Sequence, residues 1–252
     1  MPFEGHAFPQ IIPVPEAVFP GDPPPWSRAS NEARTNVTVA SVVDALVASG
    51  HTMEFQPAEI REAAGDGARA WRESAVMVAL FDGEGGCRVV LTRRASDLPS
   101  HQGQVAVPGG RSEPGESAVA TALREASEEV DLDPALVEPV GWLTPIVTYA
   151  SMSAIRPIVG RLAAPPTLRA SPREVARVFD VALADLMVEE NFLAQRWRRT
   201  SVRPGADADG AFPMYFFKVP GEVVWGATAR VLAELLALAT GTHHADEWGR
   251  IA

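Results

Sequence analysis

The sequence predicts an α/β protein in which helices cover both faces of a mixed β-sheet. Three observations carry that reading. An apolar strand, Ala75 to Phe81, runs through the turn Asp82-Gly83-Glu84-Gly85-Gly86 into a partner strand, Arg88 to Thr92, and so reads as a hairpin. A helix over the second half of residues 110–132 carries Val119, Leu123, Ala126 and Val130 at helical spacing. Another helix, Ala227 to Ala239, has a broad apolar face of Val231, Leu232, Leu235, Leu236 and Leu238. Strands and one-faced helices of this kind bury one another as an α/β/α stack.

Residues 1–36 are proline-rich, with Pro23-Pro24-Pro25 in the middle, and read as an extended arm because proline blocks helix interiors and sheet ladders. Its apolar residues (Phe8, Ile11, Ile12, Val14, Phe19, Trp26) indicate that the arm lies against something. Residues 37–70 form a helical extension, with one short helix over 38–48 and a weaker one over 57–69. Residues 71–245 form the main domain. After the hairpin come a short apolar strand (Val105 to Val107), the acidic helix, and strands over 138–149, 154–162 and 175–183. A strand pair over 195–202 and 214–219 and the final helix follow. No internal repeat is visible.

The 252 residues are 46% hydrophobic, enough for a real core. A net charge of −10 and a pI near 5.0 argue against binding a nucleic-acid backbone through the overall field. Phosphate ligands must then be attracted locally, by arginines and metal ions. The single cysteine, Cys87, excludes an intrachain disulfide and fits a reducing compartment. No apolar run reaches the roughly 18 residues of a membrane span. The first residues lack the basic and apolar regions of a signal peptide. A cytoplasmic location, with no membrane partner, is the expectation.

The acidic helix is the most informative segment. Glu125, Glu128 and Glu129 stand at i, i+3 and i+4 and point the same way. Like charges so placed destabilise a helix by roughly 0.2–0.5 kcal/mol per pair. A hard divalent cation removes that repulsion, and an all-oxygen donor set suits Mg²⁺ or Mn²⁺. Arg124, four residues before Glu128, can hold that carboxylate. Upstream, Pro108-Gly109-Gly110 follows the short apolar strand, where glycine lets backbone carbonyls approach a site that a side chain would block.

The run Gly110, Glu116, Arg124, Glu125, Ala126, Glu128, Glu129, Leu132 resembles the Nudix box of the Nudix hydrolases. Asp131 stands where that family has glycine. The position closes the helix in a left-handed conformation, which Asp tolerates better than most residues. The preceding segment is similar to the coenzyme A diphosphatase branch, on Thr92, Arg94, Ala95, His101, Gly103, Gln104 and Pro108 to Gly110. Pro99 stands where that branch has arginine, and Val107 where it has Phe. Val224-Trp225-Gly226-Ala227-Thr228-Ala229 resembles an element entering the branch's last helix.

The resemblance implies a Nudix fold. It implies metal ligation by Gly109 (through its carbonyl), Glu125, Glu128 and Glu129, with Mg²⁺ or Mn²⁺ as cofactor. Glu125, Glu128 and Arg124 are expected in catalysis. Glu174, in a later loop, is the candidate general base beside the box itself, its alternative reading being a solvated loop acid. Arg93, Arg94, His101 and Gln104 are expected at the substrate, while Gly110 and Glu116 brace the loop and helix. The implied reaction is hydrolysis of coenzyme A or acyl-CoA to 4′-phosphopantetheine and adenosine 3′,5′-bisphosphate. Two alternatives stand: hydrolysis of ADP-ribose, NADH or other nucleotides, and a non-catalytic nucleotide-binding regulatory domain. The arm is free to cover the pocket or to mediate a homodimer.

Overall fold

The computed structural model describes residues 10–53, 71–98, 101–148, 151–198, 210–244 and 248. The weaker helix expected over 57–69 lies outside them. In chain order the elements are β1 (Ala17–Pro20), α1 (Asn31–Thr35), α2 (Val39–Ala48), β2 (Arg72–Gly83), β3 (Gly86–Arg94), β4 (Val105–Ala106), β5 (Gly109–Arg111), α3 (Ala118–Val130), β6 (Val137–Trp142), β7 (Ile146–Thr148), β8 (Ser153–Leu162), β9 (Val175–Ala182), α4 (Leu183–Leu186), β10 (Phe192–Arg198), β11 (Ala211–Val219), β12 (Glu222–Trp225) and α5 (Gly226–Ala239).

The main sheet has the order β4-β3-β2-β8-β6, with β5 also on β2, β7 on β8 and β9 on β3. Only its β2–β8 pairing is parallel. Because β8 takes one edge of β2, the hairpin partner β3 and the short β5 share the other. Past the hairpin the two long strands separate. β4 pairs with Thr92 and Arg93, and β5 with Ser74 to Val76. The Pro108-Gly109-Gly110 turn is thereby wedged into the middle of the sheet.

Strand alternation assigns the two faces. Ala75, Met77, Ala79, Phe81 and Val90 pack against Ala122, Ala126 and Val130 of α3. Val78, Leu80, Val89 and Leu91 pack on the opposite side against α2 and α5, through Val42, Leu46, Leu232, Leu235 and Leu236. Each fully buried Val or Leu contributes roughly 1.5–3 kcal/mol over an exposed one. Helices on both sides of a mixed sheet are thus observed.

A second, four-stranded antiparallel sheet, β1-β10-β11-β12, was not foreseen. The pair expected over 195–202 and 214–219 is found as β10 and β11 at its centre, with Gln195 opposite Met214, residues 199–202 lying outside the described residues. The proline-rich segment supplies the edge strand β1, a position that tolerates Pro20. Trp26 is 1% exposed, with its ring 4.8 Å from Phe192 and 5.9 Å from Phe217.

α2 begins with a capping box formed by Thr38 and Ser41, and Asp82 of the hairpin accepts from the Val39 amide at 2.9 Å. No helix among the described residues is long and apolar enough to cross a membrane. α3 is capped by Ser117, whose hydroxyl accepts from the Ala120 amide, and ends on Asp131 at φ 59°, ψ 30°. That is the left-handed turn expected there. Asp131→Gly should raise stability by up to about 1 kcal/mol, read as a small rise in Tm with kcat unchanged.

Candidate active site

The N-terminal half of the site is organised by one guanidinium. Arg124 Nε donates to Glu116 Oε1 at 2.9 Å, and Nη2 donates to Glu116 Oε2 at 3.1 Å. Nη1 donates to Glu125 Oε1 and Glu128 Oε2, both at 3.0 Å, and Nη2 reaches the Arg111 carbonyl at 3.0 Å. These contacts use every N–H that arginine has. Arg124 was expected among the catalytic residues. Its donors are instead committed to the protein, so it acts by positioning two of the three acidic side chains. Glu116 also accepts from the Glu113 amide at 3.0 Å and from the Thr121 hydroxyl at 2.8 Å. Arg124 first, and then the Glu113 amide, hold the Glu116 carboxyl at a pKa of about 2. Glu116 is a permanent anion bracing loop to helix.

Gly110 makes room for Glu125. A Cβ at Gly110 would lie 2.5 Å from the Glu125 carboxylate carbon and one of its oxygens. Gly109, at φ 157°, passes so close to β2 that a Cβ would meet the Ala75 carbonyl oxygen and Val76 Cα at 2.5 Å. Its amide donates to Glu129 Oε2 at 3.1 Å. Glu129 is 3% exposed, and Arg94 Nη1 lies 3.5 Å from its other oxygen. Burial pushes the Glu129 carboxyl up to about 7, against the opposing pull of the Gly109 amide and Arg94. Burial likewise raises Glu125, partly offset by Arg124.

Glu174 sits where the chain enters β9, and its charge helps to raise both Glu125 and Glu129. Main-chain contacts fix the loop that brings it there. The Arg169 amide donates to the Val130 carbonyl at 3.0 Å, and Ser171 to Glu129 at 2.8 Å. At the loop's far end, the Ala95 amide donates to the Glu174 carbonyl at 2.8 Å. The structure therefore brings Glu125, Glu128, Glu129, Arg94 and Glu174 to one place.

Arg93 is not among them. It projects to the other face of β3, where Nη1 donates to the buried Glu222 at 2.9 Å. That ion pair corrects the expectation of Arg93 at the substrate. His101 and Gln104 bond to each other at 2.9 Å in an exposed turn, and the Gln104 carbonyl accepts from the Arg94 amide at 3.0 Å. Trp225 is the residue before α5 and donates to Gln10 at 2.9 Å, which makes it an anchor. Sequence reasoning missed Thr121, whose hydroxyl is fully buried against Glu116. Its signal was a β-branched residue in a run of alanines, a poor choice for helix propensity alone. Glu222 gave no signal.

The residues fit a divalent cation. Three carboxylates offer only oxygen donors, two are held above their ordinary pKa, and the glycines leave the cluster open where a Cβ would intrude. A pH dependence follows. Glu129 ionises near 7 in the folded chain but near 4.5 when unfolded. Glu129's own contribution to metal-free stability should therefore be fully present below pH 4.5 and fall by roughly 2–3 kcal/mol as pH rises to 7. A cation stabilises the ionised form, so thermal melts should show a larger Mn²⁺-induced rise in Tm at pH 8 than at pH 5.

Residues 71–196 match the family model described as the NUDIX domain. The chain is 36% identical over 169 residues to Nudix hydrolase 22, chloroplastic, of Arabidopsis thaliana, covering 64% of this chain and 53% of that protein. It is 34% identical over 152 residues to the "Uncharacterized Nudix hydrolase NudL" of Photorhabdus laumondii, covering 58% and 74%. The NudL of Pectobacterium atrosepticum is 31% identical over 169 residues, covering 65% and 81%. Against the plant protein the chain spans about half the relative's length. Fold and site define a protein of the Nudix class: a mixed sheet between helices, with the glycine turn and glutamate helix side by side. The chain belongs to the Nudix family.

Proposed function

We propose that the chain is a divalent-cation-dependent diphosphatase acting on coenzyme A or an acyl-CoA. The observation that carries the hydrolytic reading is the juxtaposition of buried Glu129, Glu125 seated over Gly110, and Glu128, with Arg94 and Glu174 beside them. Glu125, Glu128, Glu129 and the Gly109 carbonyl would hold Mg²⁺ or Mn²⁺. When bound, such an ion offsets diphosphate charge and acidifies water.

The chain's own residues do the rest. Arg124 and Glu116 keep Glu125 and Glu128 in place. Arg94, beside Glu129 at 3.5 Å, would offer its planar fork to a phosphate oxygen. Glu174, exposed where the chain enters β9, would take a proton from the attacking water. The coenzyme A assignment rests on the similarity through Thr92, Arg94, Ala95, His101, Gly103, Gln104 and the Val224–Ala229 element. The two turns carrying it, at 101–104 and 225–226, flank β3 and the start of α5.

The test is a substrate panel of coenzyme A, acetyl-CoA, ADP-ribose, NADH and dinucleoside polyphosphates, assayed with Mg²⁺ and with Mn²⁺. Coenzyme A or its thioester should give the highest kcat/KM, yielding adenosine 3′,5′-bisphosphate. Preference for ADP-ribose or NADH would move the assignment to those substrates. Binding without product under any metal would identify a regulatory domain.

A further inference from the structure

On the face of the sheet opposite α3, three ligand-bearing side chains meet outside the Nudix box. His51 follows the end of α2, Glu234 lies in the middle of α5, and His243 follows α5. His51 Nε2 is 3.8 Å and His243 Nε2 is 3.6 Å from Glu234 Oε1, and one donor atom from each residue falls within 4.8 Å of the others. We propose that His51, Glu234 and His243 form a second metal site, for a borderline transition cation of the Zn²⁺ type, which fastens the N-terminal helical segment to the C-terminal helix.

The surroundings of the three side chains suit a cation. Glu234 is fully buried, and on one side its carboxylate accepts from the Thr144 amide at 3.1 and 3.2 Å and from the Thr144 hydroxyl. On the other it faces two imidazoles at distances too long for hydrogen bonds. His51 Nδ1 lies 3.2 Å from the Ser49 carbonyl and 3.0 Å from the Ser49 hydroxyl, and in the tautomer protonated at Nδ1 the Nε2 atom on the Glu234 side is the one able to bind a metal. His243 Nε2 is buried and makes no hydrogen bond among the described residues, while the His243 side chain is 9% exposed. Arg230, one turn before Glu234, is close enough to feel its charge, but its Nη2 donates to the Trp248 carbonyl. Donor atoms of three residues thus lie within 4.8 Å of one another.

Their chemistry selects the ion. Two neutral imidazoles and one carboxylate are a donor set of zinc sites, unlike the all-oxygen set of the box. Ligands about 2.0–2.1 Å from a tetrahedral ion are roughly 3.4 Å apart. The two histidine–glutamate separations, 3.8 and 3.6 Å, need to contract by only a few tenths of an ångström, and the two imidazole nitrogens lie within 4.8 Å of each other. The outer contacts are those of built metal sites, with a backbone carbonyl on the second nitrogen of His51 and Thr144 on the carboxylate. The backbone is fixed too. The His51 amide donates to the Leu46 carbonyl at 2.9 Å, and its carbonyl accepts from Trp142 at 3.1 Å. Gly141 allows that approach, since a Cβ there would lie 2.1 Å from the His51 oxygen. Past α5, the Thr242 amide returns to the Ala237 carbonyl at 2.9 Å and sets His243 over the helix end.

The test uses the full chain, stripped with a chelator, carrying Glu125→Gln and Glu128→Gln to silence the box. Zn²⁺ should bind at one equivalent and raise Tm. Co²⁺ should give the intense visible absorption of a four-coordinate site with nitrogen ligands. His51→Asn and His243→Asn, each added to that background, should abolish the Co²⁺ band and weaken Zn²⁺ binding by at least roughly 100-fold. The same histidine substitutions in the otherwise unaltered chain should leave far-UV circular dichroism and Mg²⁺-dependent hydrolysis intact. Absence of the band in the box-silenced protein, or its persistence in the histidine variants, overturns the proposal. The first of these arms needs no histidine variant, so a folding defect in one cannot shelter the idea.

Discussion

Replacing Glu128 by Gln is expected to lower kcat by roughly 10²–10³-fold while moving global stability by no more than about 0.5 kcal/mol. The side chain is 60% exposed and meets Arg124 one turn earlier at 3.0 Å. Exposed pairs at that spacing contribute little to folding. Their loss in function is large because Gln keeps the shape but removes the charge, and a hard cation binds a carboxylate oxygen far better than an amide one. Turnover at saturating Mn²⁺, set beside a thermal melt, checks both halves. A variant with native kcat would remove Glu128 from the cation site.

Gly110→Ala and Gly109→Ala should fail in different ways, although the residues are adjacent. At Gly110 the new methyl meets the end of the Glu125 side chain, which can swing aside. Stability should fall by about 1 kcal/mol or less, but Glu125 leaves its seat beside Arg124, and kcat should drop by roughly 10²-fold or more. At Gly109 the obstruction is main chain on β2, which cannot move without unzipping β5, and φ 157° adds strain. A loss on the order of 3 kcal/mol is expected there, and with it soluble yield. Comparing Tm and kcat for the pair separates the roles. Equal melting points would show that the turn is more pliant than its contacts imply.

Much of this arrangement was legible in the residues. The hairpin and the helices α2, α3 and α5 announce themselves by apolar spacing, and the acidic helix by charges no fold needs. The left-handed end of α3 was readable from Asp131. What stayed hidden depends on distant partners. Arg93 and Arg94 look equivalent in the chain, yet strand alternation sends one to Glu222 and the other to Glu129. Their neighbours come from β12 and α3, so no local pattern distinguishes them. The second sheet was half seen, because its edge strand comes from a proline-rich stretch whose composition argues for an arm. Glu234 gave no signal in the sequence, because its Thr144 and histidine partners come from three separate parts of the chain.

The loop from Arg169 to Glu174 is tied at both ends by peptide groups. The side chains at positions 169 to 173 can therefore be exchanged freely by mutation, whereas the loop's length cannot. One residue inserted between Ser171 and Glu174 would break the turn in which the Glu174 and Val175 amides donate to the Ser171 carbonyl, and would shift the acid against the box carboxylates. A change of selectivity in this chain is therefore best sought by varying positions 169 to 173 and leaving the span of the segment alone.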